Sequence, residues 1–473
     1  MVECFPTLLQ NISGEKAKLL EWVLDCLYGH VKQLLRALSK NPGKRKASDD
    51  CSEEEDGSIG CRLSAVAGFF TALNDQVLKK EPRTAEYGEN AVVLRCLMMF
   101  LGQIAVLDLR SRAGTTVPRD ARLSAEELVR NISKRFGDLM KLSISKNAAW
   151  EGHEKKIAGE DGDRDVPEPM SPACRAVLAW MVLAEGVEPD SVPCVYSSRY
   201  MFEQNLENIT FLLSHSSDHA VAKGVALCSN LVSRLCLEEY CSSDLDNIDL
   251  TGLPCHLGRA VVYCSLDEVR KGALTALVAY MKCFQCEARH TLYCRMLQVE
   301  KHSGLRGFVV DLYRQDLYAT LKGGIRDDPH MGANLESFLE IATSDLLSQE
   351  KINILDYSDC VLAVLNLVWY FTSAMSHQGQ IFGMTNPSVF AVARAYTEKV
   401  RKFVDHTRAY YTAELEDNKK TAKGGTKQRK DGLFPSLPPE QEAEFLKTAL
   451  TRLDLIESVL VLAEDGVAQW ANK

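Results

Sequence analysis

Catalytic motifs are missing from this sequence of 473 residues. It contains no Walker loop, no Gly-x-Gly-x-x-Gly or Gly-x-Ser-x-Gly pattern and no His-Glu-x-x-His pair. These patterns carry phosphate and dinucleotide binding, serine hydrolysis and zinc-dependent proteolysis. The sequence therefore predicts a protein that is not an enzyme and that holds no cofactor and no metal.

Long hydrophobic runs are also missing. No window of 18 or more consecutive apolar residues occurs, and the most apolar stretches, 96–109 and 361–371, are predicted to be buried helices. The first residues, Met-Val-Glu-Cys-Phe-Pro, have neither the basic start nor the apolar stretch of a signal peptide. We expect a cytoplasmic protein, with the nucleus as the alternative compartment, and no membrane partner.

A basic excess is missing too, since 64 acidic residues against 55 Lys and Arg give a net charge of −9. Binding to phosphate backbones needs a concentrated basic face, so no nucleic-acid partner is expected. The hydrophobic fraction of 46% and the charged fraction of 25% are those of a soluble globular protein. Without a secretory signal, the 16 cysteines are interpreted as reduced thiols that act as small hydrophobic residues.

Almost every apolar pattern has the period of a helix. Ser124-Ala-Glu-Glu127 is a capping-box pattern that predicts a helix running to Met140, and Ser171-Pro172 predicts the start of another. Further helices are predicted at 197–214, 218–238, 266–285, 288–298, 303–321, 333–348, 357–376, 387–416 and 439–468. Because no strand alternation and no clean internal period are visible, the expected fold is all-α, a HEAT-like helical-repeat solenoid with an irregular α-α superhelix.

Three segments poor in apolar residues interrupt these helices. Residues 41–60 are charged and predicted to be disordered, residues 150–170 form an acidic linker, and residues 417–436 form a polar loop. The predicted organisation is therefore a set of N-terminal helical repeats over 1–149 and a set of C-terminal HEAT-like repeats over 171–473.

Residues 283–294 hold four good zinc ligands, namely Cys283, Cys286, His290 and Cys294. On a continuous helix they would share an arc of about 80° but spread over about 16 Å along the axis. Tetrahedral zinc requires ligand atoms roughly 3.8 Å apart, so one helix cannot close all four around an ion. We interpret the group as core, with a zinc site through a break near Glu287 as the alternative.

Ser214-His-Ser-Ser-Asp-His219 resembles a catalytic triad in composition only. Triad members converge from separate elements, whereas adjacent residues rarely point at one atom. We interpret this segment as the end of one helix and the N-cap of the next, at Ser217 or Asp218.

The long helix predicted at 387–416 carries two kinds of stripe. Its inward seam consists of Val389, Ala393, Tyr396, Val400, Phe403, Thr407 and Tyr410. On the roughly opposite face, arginine recurs every seven residues at Arg394, Arg401 and Arg408. Asn366 and Tyr370 share a narrow arc on the helix at 357–376. Each stripe is either a solvated face or a partner-binding surface, for which arginine and tyrosine are suited.

The last predicted helix has an amphipathic pattern of its own. Pro438 and Pro439 suit its first turn, and Glu440 and Glu442 complement its positive end. Its apolar stripe consists of Leu446, Ala449, Leu450, Leu453, Ile456 and Leu460. The helix is therefore predicted to be part of the fold rather than a detachable tail.

The same segment carries a family resemblance. Its Pro-Pro-Glu start and its Asp-Leu-Ile-Glu-Ser-Val-Leu core over 454–460 resemble the C-terminal helix of the glomulin (FKBP-associated protein) family, which includes the plant aberrant lateral root formation protein. His302-Ser-Gly-Leu-Arg-Gly-Phe-Val-Val, Leu365-Asn-Leu and Ala222-Lys-Gly-Val-Ala-Leu are similar to the same family. The resemblance extends from about residue 217 to the end.

The resemblance implies a function as well as a fold. It implies a HEAT-like regulatory inhibitor that binds the RING subunit of cullin-RING (SCF-type) ubiquitin ligases, and the cullin through it, and blocks recruitment of the ubiquitin-conjugating enzyme. The candidate contact residues are Asn366, Tyr370, Arg394, Arg401 and Arg408. The alternative is a non-catalytic scaffold or adaptor that binds an immunophilin, a kinetochore or a transport complex.

Overall fold

The computed structural model describes residues 87–107, 117–144, 171–323, 329–378, 387–423 and 439–471, together with helical residues scattered over 22–29 and 64–71. All regular elements in these ranges are helical, and the one β-type pairing among them is an isolated bridge between Tyr240 and Phe284. The predicted all-α fold is confirmed. The predicted loop at 41–60 and linker at 150–170 lie outside the described residues.

The described ranges contain fifteen α-helices, which we number in chain order. They are α1 (Tyr87–Gln103), α2 (Val117–Ser133), α3 (Leu139–Ile144), α4 (Pro172–Ala179), α5 (Ser198–Gln204), α6 (Leu206–Leu213), α7 (Asp218–Val232), α8 (Ile248–Tyr263), α9 (Asp267–Lys282), α10 (Cys286–Val299), α11 (Ser303–Gly323), α12 (Ala333–Leu347), α13 (Ser358–Gln378), α14 (Pro387–Lys423) and α15 (Pro439–Ala471). A π-helical turn, Trp180–Ala184, continues α4 directly.

The first of two compact units comprises Met1–Cys236 and Asn247–Cys283. Its helices pack in sequence, with α1 on α4, α4 on α6 and α6 on α8, while α7 packs on α9. One layer therefore consists of α1, α4, α6 and α8, and the other contains α7 and α9. The helical hairpins α6–α7 and α8–α9 link the two layers. This is the arrangement of a helical-repeat array.

The second unit comprises Leu237–Asp246 and Phe284–Lys473. One layer consists of α10, α12 and α14, and the other consists of α11, α13 and α15. Two glycines permit close packing in the second layer. A Cβ at Gly307 would lie 2.7 Å from the carbonyl oxygen of Asp359, and one at Gly466 would collide with Thr372 Oγ1. These contacts bring α11 and α15 against the two sides of α13.

The middle helix of that layer is unusually apolar. Of the described residues, Ile354–Ser373 form one stretch long and apolar enough to cross a membrane, and half of it is buried within the structure. The core helix of a soluble protein passes the same test. Since α13 packs against both α11 and α15, its composition is explained by burial, and we interpret it as a core helix.

Helix α8 was not predicted from the sequence, and Pro254 lies inside it. Proline has no N–H and leaves the carbonyl four residues earlier without its helical partner. That carbonyl belongs to Leu250, and it accepts a hydrogen bond of 2.7 Å from the Tyr280 hydroxyl of α9. A tertiary contact therefore replaces the bond that the proline removes.

Several predicted boundaries are wrong. The helix predicted to run to Met140 ends at Ser133, and the helix predicted at 197–214 is divided at Asn205 into α5 and α6. Ser124 does not begin a helix, because α2 starts at Val117 and Ser124 lies buried in its middle. The predicted loop at 417–436 begins too early, since α14 continues to Lys423. Asn418 is buried there and donates a 2.9 Å hydrogen bond to Glu442 of α15, which holds this last part of α14 in the fold. Residues 424–436 lie outside the described part.

Candidate partner-binding surface

The zinc-like residues at 283–294 do not lie on one helix. Helix α9 ends at Lys282, Cys283 is its C-cap, and α10 begins at Cys286. Cys283 and His290 are buried, as the core interpretation predicts, whereas Cys286 and Cys294 are half-buried. Across the described part of the chain, no three or more His, Cys, Asp or Glu side chains are grouped so that they could hold a metal ion.

The triad-like segment lies between two helices, as predicted. Ser214 is the C-cap of α6 and Ser217 is the N-cap residue of α7, so the segment joins two helices. Ser217 therefore has the predicted N-cap position, but its side chain accepts no capping hydrogen bond.

The predicted inward seam of α14 is buried along most of its length. Val389, Ala393, Tyr396, Val400, Phe403 and Thr407 are all buried. The prediction is wrong at its last position, where Tyr410 is exposed and Tyr411 is buried instead. The reason is the helical period of 3.6 residues, which moves the seam by four rather than three residues after Thr407. Tyr411 packs with Leu446 and Ala449 of α15.

The arginine stripe is not a uniform solvated face. Arg401 forms a bidentate ion pair with Glu464, in which the Nε–Oε1 distance is 3.2 Å and the Nη2–Oε2 distance is 2.6 Å. Its Nη1 lies 2.8 Å from Glu457 Oε1. The bonds to Glu464 raise the pKa of Arg401, and the charges of Glu464 and Glu457 add to the rise. Arg401 therefore holds α15 against α14.

Arg408 extends the same network one heptad further along α14. Its Nη2 lies 2.6 Å from Glu457 Oε2, and its Nη1 lies 2.6 Å from Asp454 Oδ1. Glu457 thus bridges the two arginines. We call this network the charged seam; it consists of Arg401, Arg408, Asp454, Glu457 and Glu464.

Arg394 stands outside the charged seam. The pairs of Arg401 with Glu464 and of Arg408 with Glu457 show that α14 and α15 run antiparallel. The position on α15 that matches Arg394 is therefore residue 471, which is alanine. Arg394 is exposed and forms no ion pair with another described residue. Of the three predicted arginines, Arg394 alone is exposed without an ion pair to another described residue.

Asn366 and Tyr370 lie on the outer side of α13, as predicted. Asn366 is exposed, and the half-buried Tyr370 contacts Tyr318 of α11, with ring centroids 5.9 Å apart. Burial raises the pKa of Tyr370, Tyr318 adds to the rise, and Arg314 opposes it. At neutral pH, Tyr370 therefore presents an uncharged hydroxyl that can donate or accept.

Exposed apolar side chains extend this surface onto α15. The Asp359–Arg452 ion pair of 3.5 Å and the Gly466–Thr372 contact fix how α15 lies along α13. Leu455 follows Arg452 by three residues and Leu462 precedes Gly466 by four, so both lie on the side of α15 nearest α13. Trp369 precedes Thr372 by three residues and lies on the α15 side of α13.

From these helix faces we infer that the side chains share one surface, which we call the aromatic face. It consists of Tyr318, Asn366, Trp369, Tyr370, Leu455 and Leu462. The exposed fractions are 48% for Tyr318, 42% for Trp369, 52% for Leu455 and 46% for Leu462. Grouped exposed apolar side chains are typical of protein-interaction sites, and tryptophan and tyrosine supply most of the binding energy in such sites.

Sequence reasoning missed the apolar half of this face. Trp369 lies next to Tyr370, but its apolar neighbours make it look like a core residue. Leu455 and Leu462 are seven residues apart, a spacing that places them together on one helix face. The sequence could have indicated an exposed apolar face by this spacing, because the two leucines lie apart from the buried stripe of Leu453, Ile456 and Leu460.

Fold and surface together define a class of protein. In each of the two units the described elements are packed α-helices, and the second unit carries exposed apolar and aromatic side chains; these properties favour a non-enzymatic scaffold.

Comparison with known proteins then gives a particular relative. The chain is 24% identical to mouse (Mus musculus) glomulin over 354 residues, which cover 73% of this chain and 58% of glomulin. It is 24% identical to human (Homo sapiens) glomulin over 295 residues, which cover 61% of this chain and 49% of glomulin. No family model matches the chain. The resemblance predicted from the sequence is confirmed, and it covers more of the chain than the predicted residues 217–473. The chain spans about half the length of these relatives.

Proposed function

We propose that this protein is a regulatory inhibitor of cullin-RING (SCF-type) ubiquitin ligases. It binds their RING subunit, and the cullin through it, and prevents recruitment of the ubiquitin-conjugating enzyme. The observation that supports this proposal is the glomulin similarity over most of the chain, together with a protein-interaction surface in the unit that contains the family-like C-terminal helix. The proposal includes a cytoplasmic location, with the nucleus as the alternative.

The aromatic face is the proposed contact surface. Trp369, Tyr318 and Tyr370 give it large, rigid side chains that lose little conformational entropy on binding. Asn366 lies among them and can both donate and accept a hydrogen bond. Arg394 stays in the proposed contact set because it is exposed and unpaired among the described residues. Arg401 and Arg408 act indirectly, by holding α15 in the position that presents Leu455 and Leu462.

Inhibition by steric competition suits a scaffold of this kind. A standard protein interface buries about 800 Å² on each partner, which is enough to cover the small surface that a RING domain offers. A nanomolar inhibitor has an advantage of about 4 kcal/mol over a micromolar competitor. Such an advantage keeps most of the ligase occupied, and it requires no chemistry from the inhibitor.

The direct test uses purified components. The whole chain is mixed with an isolated RING subunit of a cullin ligase, and binding is measured by calorimetry. Ubiquitin transfer by the reconstituted ligase is then followed with and without the chain. We expect tight binding and blocked transfer, and we expect increasing amounts of conjugating enzyme to restore transfer.

Two outcomes would contradict the proposal at different points. Binding with inhibition that no excess of conjugating enzyme relieves would exclude competition. Absence of binding to the RING subunit would exclude the ligase role itself. The aromatic face would then serve another protein, as expected for the adaptor alternative with an immunophilin, kinetochore or transport partner.

A further inference from the structure

A second cluster of polar side chains lies at the start of α10. Cys286 Sγ is 2.8 Å from His330 Nδ1, and on the other side of the imidazole Nε2 lies 3.7 Å from Asp316 Oδ2. The His330 side chain is fully buried, whereas Cys286 is half-exposed. The imidazole therefore lies between a reachable thiol and a carboxylate, which is the order of groups in an activated nucleophile.

Neighbouring side chains hold the carboxylate and the imidazole in place. Tyr293 donates a hydrogen bond of 2.9 Å to Asp316 Oδ2, and Arg289 Nη1 donates one of 3.2 Å to Asp316 Oδ1. Tyr313 donates a hydrogen bond of 2.8 Å to the His330 carbonyl oxygen. The Tyr313 ring also packs edge-to-face against the imidazole, with centroids 5.0 Å apart. Packing of the Tyr313 ring holds the imidazole itself, and the hydrogen bond from Tyr313 holds the backbone of His330.

The backbone position of Cys286 acts in the same direction. Cys286 is the first residue of α10, a helix of 14 residues whose N-cap is Gln285. The first N–H groups of a helix lack helical partners and favour negative charge nearby. A thiol at a helix N-terminus and beside an imidazole readily becomes a thiolate.

The same helix contains a natural comparison, the pair formed by Cys294 and His290. Cys294 Sγ lies 3.6 Å from His290 Nε2, a longer contact than that of Cys286. Burial raises the pKa of the Cys294 thiol to about 11. Burial also lowers the pKa of His290 to about 4, with His330 contributing. At neutral pH both groups of this pair are uncharged, and the Cys294 thiol is inert.

We propose that Cys286 is a modification site, a nucleophilic thiol that hydroperoxides oxidise to a sulfenic acid. His330 Nδ1 takes the thiol proton and leaves a thiolate. The thiolate sulfur attacks one peroxide oxygen, an S–O bond forms, and the O–O bond breaks. The leaving oxygen takes the proton back from the imidazolium and departs as water, or as an alcohol from an organic hydroperoxide. Sulfur is oxidised by two electrons and the peroxide is reduced by two.

The geometry favours hydroperoxides among electrophiles for two reasons. Cys286 is only half-exposed, so a small reagent reaches it more easily than a bulky one. A peroxide also needs a proton for its leaving oxygen, and the imidazolium beside the sulfur supplies one. Alkylating agents gain nothing from that proton.

The test follows oxidation of the whole protein by hydrogen peroxide. Sulfenic acid is trapped with dimedone at neutral pH, and the labelled peptides are quantified by mass spectrometry. The reference is Cys194, which is more exposed than Cys286. A free thiol is only a few per cent thiolate at neutral pH, so Cys286 is expected to be labelled at least about tenfold faster than Cys194. Cys294 is expected to stay unlabelled.

Two variants assign the effect to the cluster. His330→Gln should reduce labelling of Cys286 to the rate of Cys194 or below, with an unchanged helical circular dichroism spectrum. Cys294→Ser is the matched control on the same helix and should leave labelling of Cys286 unchanged. If His330→Gln does not fold, the labelling rates of Cys286 and Cys194 within the wild-type protein still test the proposal. Equal or slower labelling of Cys286, or fast labelling that survives His330→Gln in a folded protein, overturns the proposal.

Discussion

The charged seam and the aromatic face lie on two sides of the same helix, α15, and they use their exposed side chains in opposite ways. In the charged seam, Arg401 and Arg408 have partners on α15 within 2.6–2.8 Å. In the aromatic face, Trp369, Leu455 and Leu462 remain exposed to solvent to between 42% and 52%. Two of the five candidate contact residues, Arg401 and Arg408, are therefore engaged in ion pairs within the fold.

The difference teaches that composition alone does not separate a structural surface from a binding surface. Arginine is favoured in interfaces, but an arginine that faces acids on its own chain is already satisfied. Exposed tryptophan and leucine side chains are apolar, and their burial by a partner is favourable because it removes apolar surface from water. Four predictions test this distinction, from the largest expected effect to the smallest.

Truncation after residue 434 should have the largest effect, because it removes α15 and with it the acidic residues of the charged seam and both leucines of the aromatic face. Four large side chains of its predicted stripe, Leu446, Leu453, Ile456 and Leu460, are buried, whereas Leu450 is only partly buried. The four contribute about 6–12 kcal/mol in gross terms, before the ordering entropy that offsets much of it. We expect a marked loss of thermal stability in the second unit and loss of partner binding, measured by circular dichroism melting and calorimetry. An unchanged melting temperature would show that the stripe packs on nothing that stabilises the protein.

Arg401→Glu should break the charged seam specifically. The substitution places a third carboxylate beside Glu457 and Glu464 and removes their shared cation. Because the network is partly exposed, we expect the free energy of unfolding to fall by about 1–3 kcal/mol. From the sequence, which placed Arg401 on a solvent-facing or partner-facing stripe, no loss of stability would be expected.

The matched control for Arg401→Glu in the charged seam is Arg394→Glu, the same substitution seven residues earlier on α14. Since Arg394 forms no ion pair with another described residue, its effect on stability should stay within about 0.5 kcal/mol. Urea denaturation of both variants measures the difference. Equal losses of stability in the two variants would mean that the seam contributes nothing beyond general charge.

Trp369→Ala should break the aromatic face and leave the seam intact. Truncation of a central interface tryptophan costs about 2 kcal/mol or more of binding, which corresponds to a loss of affinity of about 30-fold or more. The control is Tyr410→Ala on α14, because Tyr410 is exposed to a similar 47% but lies outside the face. Calorimetry with the RING subunit should show the loss for Trp369→Ala alone. Equal affinities of the two variants would remove Trp369 from the contact.

Arg394→Glu should have the smallest effect on binding. A charge at the rim of an interface acts mainly on the association rate, and its influence falls as salt screens it. We expect the association rate with the RING subunit to change by a few-fold at low ionic strength and by little at 0.5 M salt. A salt-independent change of any size would mean that Arg394 makes a direct, desolvated contact.

The sequence predicts the helices better than the surfaces. The apolar stripe of α15 and the inward seam of α14 could be predicted from helical periodicity, since burial of one helix face leaves apolar residues at a regular spacing. Helix α8 could not be predicted, because the donor that repairs its proline comes from α9. The pairing of Arg401 could not be predicted either, because it depends on which residues of α15 lie opposite α14. Both failures concern contacts between helices, which a pattern along one helix does not contain.

The hydroxyl of Tyr280 also makes one helix depend on another for its integrity. Helix α8 carries a gap in its own hydrogen-bond ladder at Leu250, and the gap is closed only when α9 is docked. If α9 moves away, a buried carbonyl loses its partner and the first two turns of α8 lose their continuity with the rest. The hairpin of α8 and α9 therefore opens and closes as a unit, a cooperative block of native-state hydrogen exchange rather than two independently fraying helices.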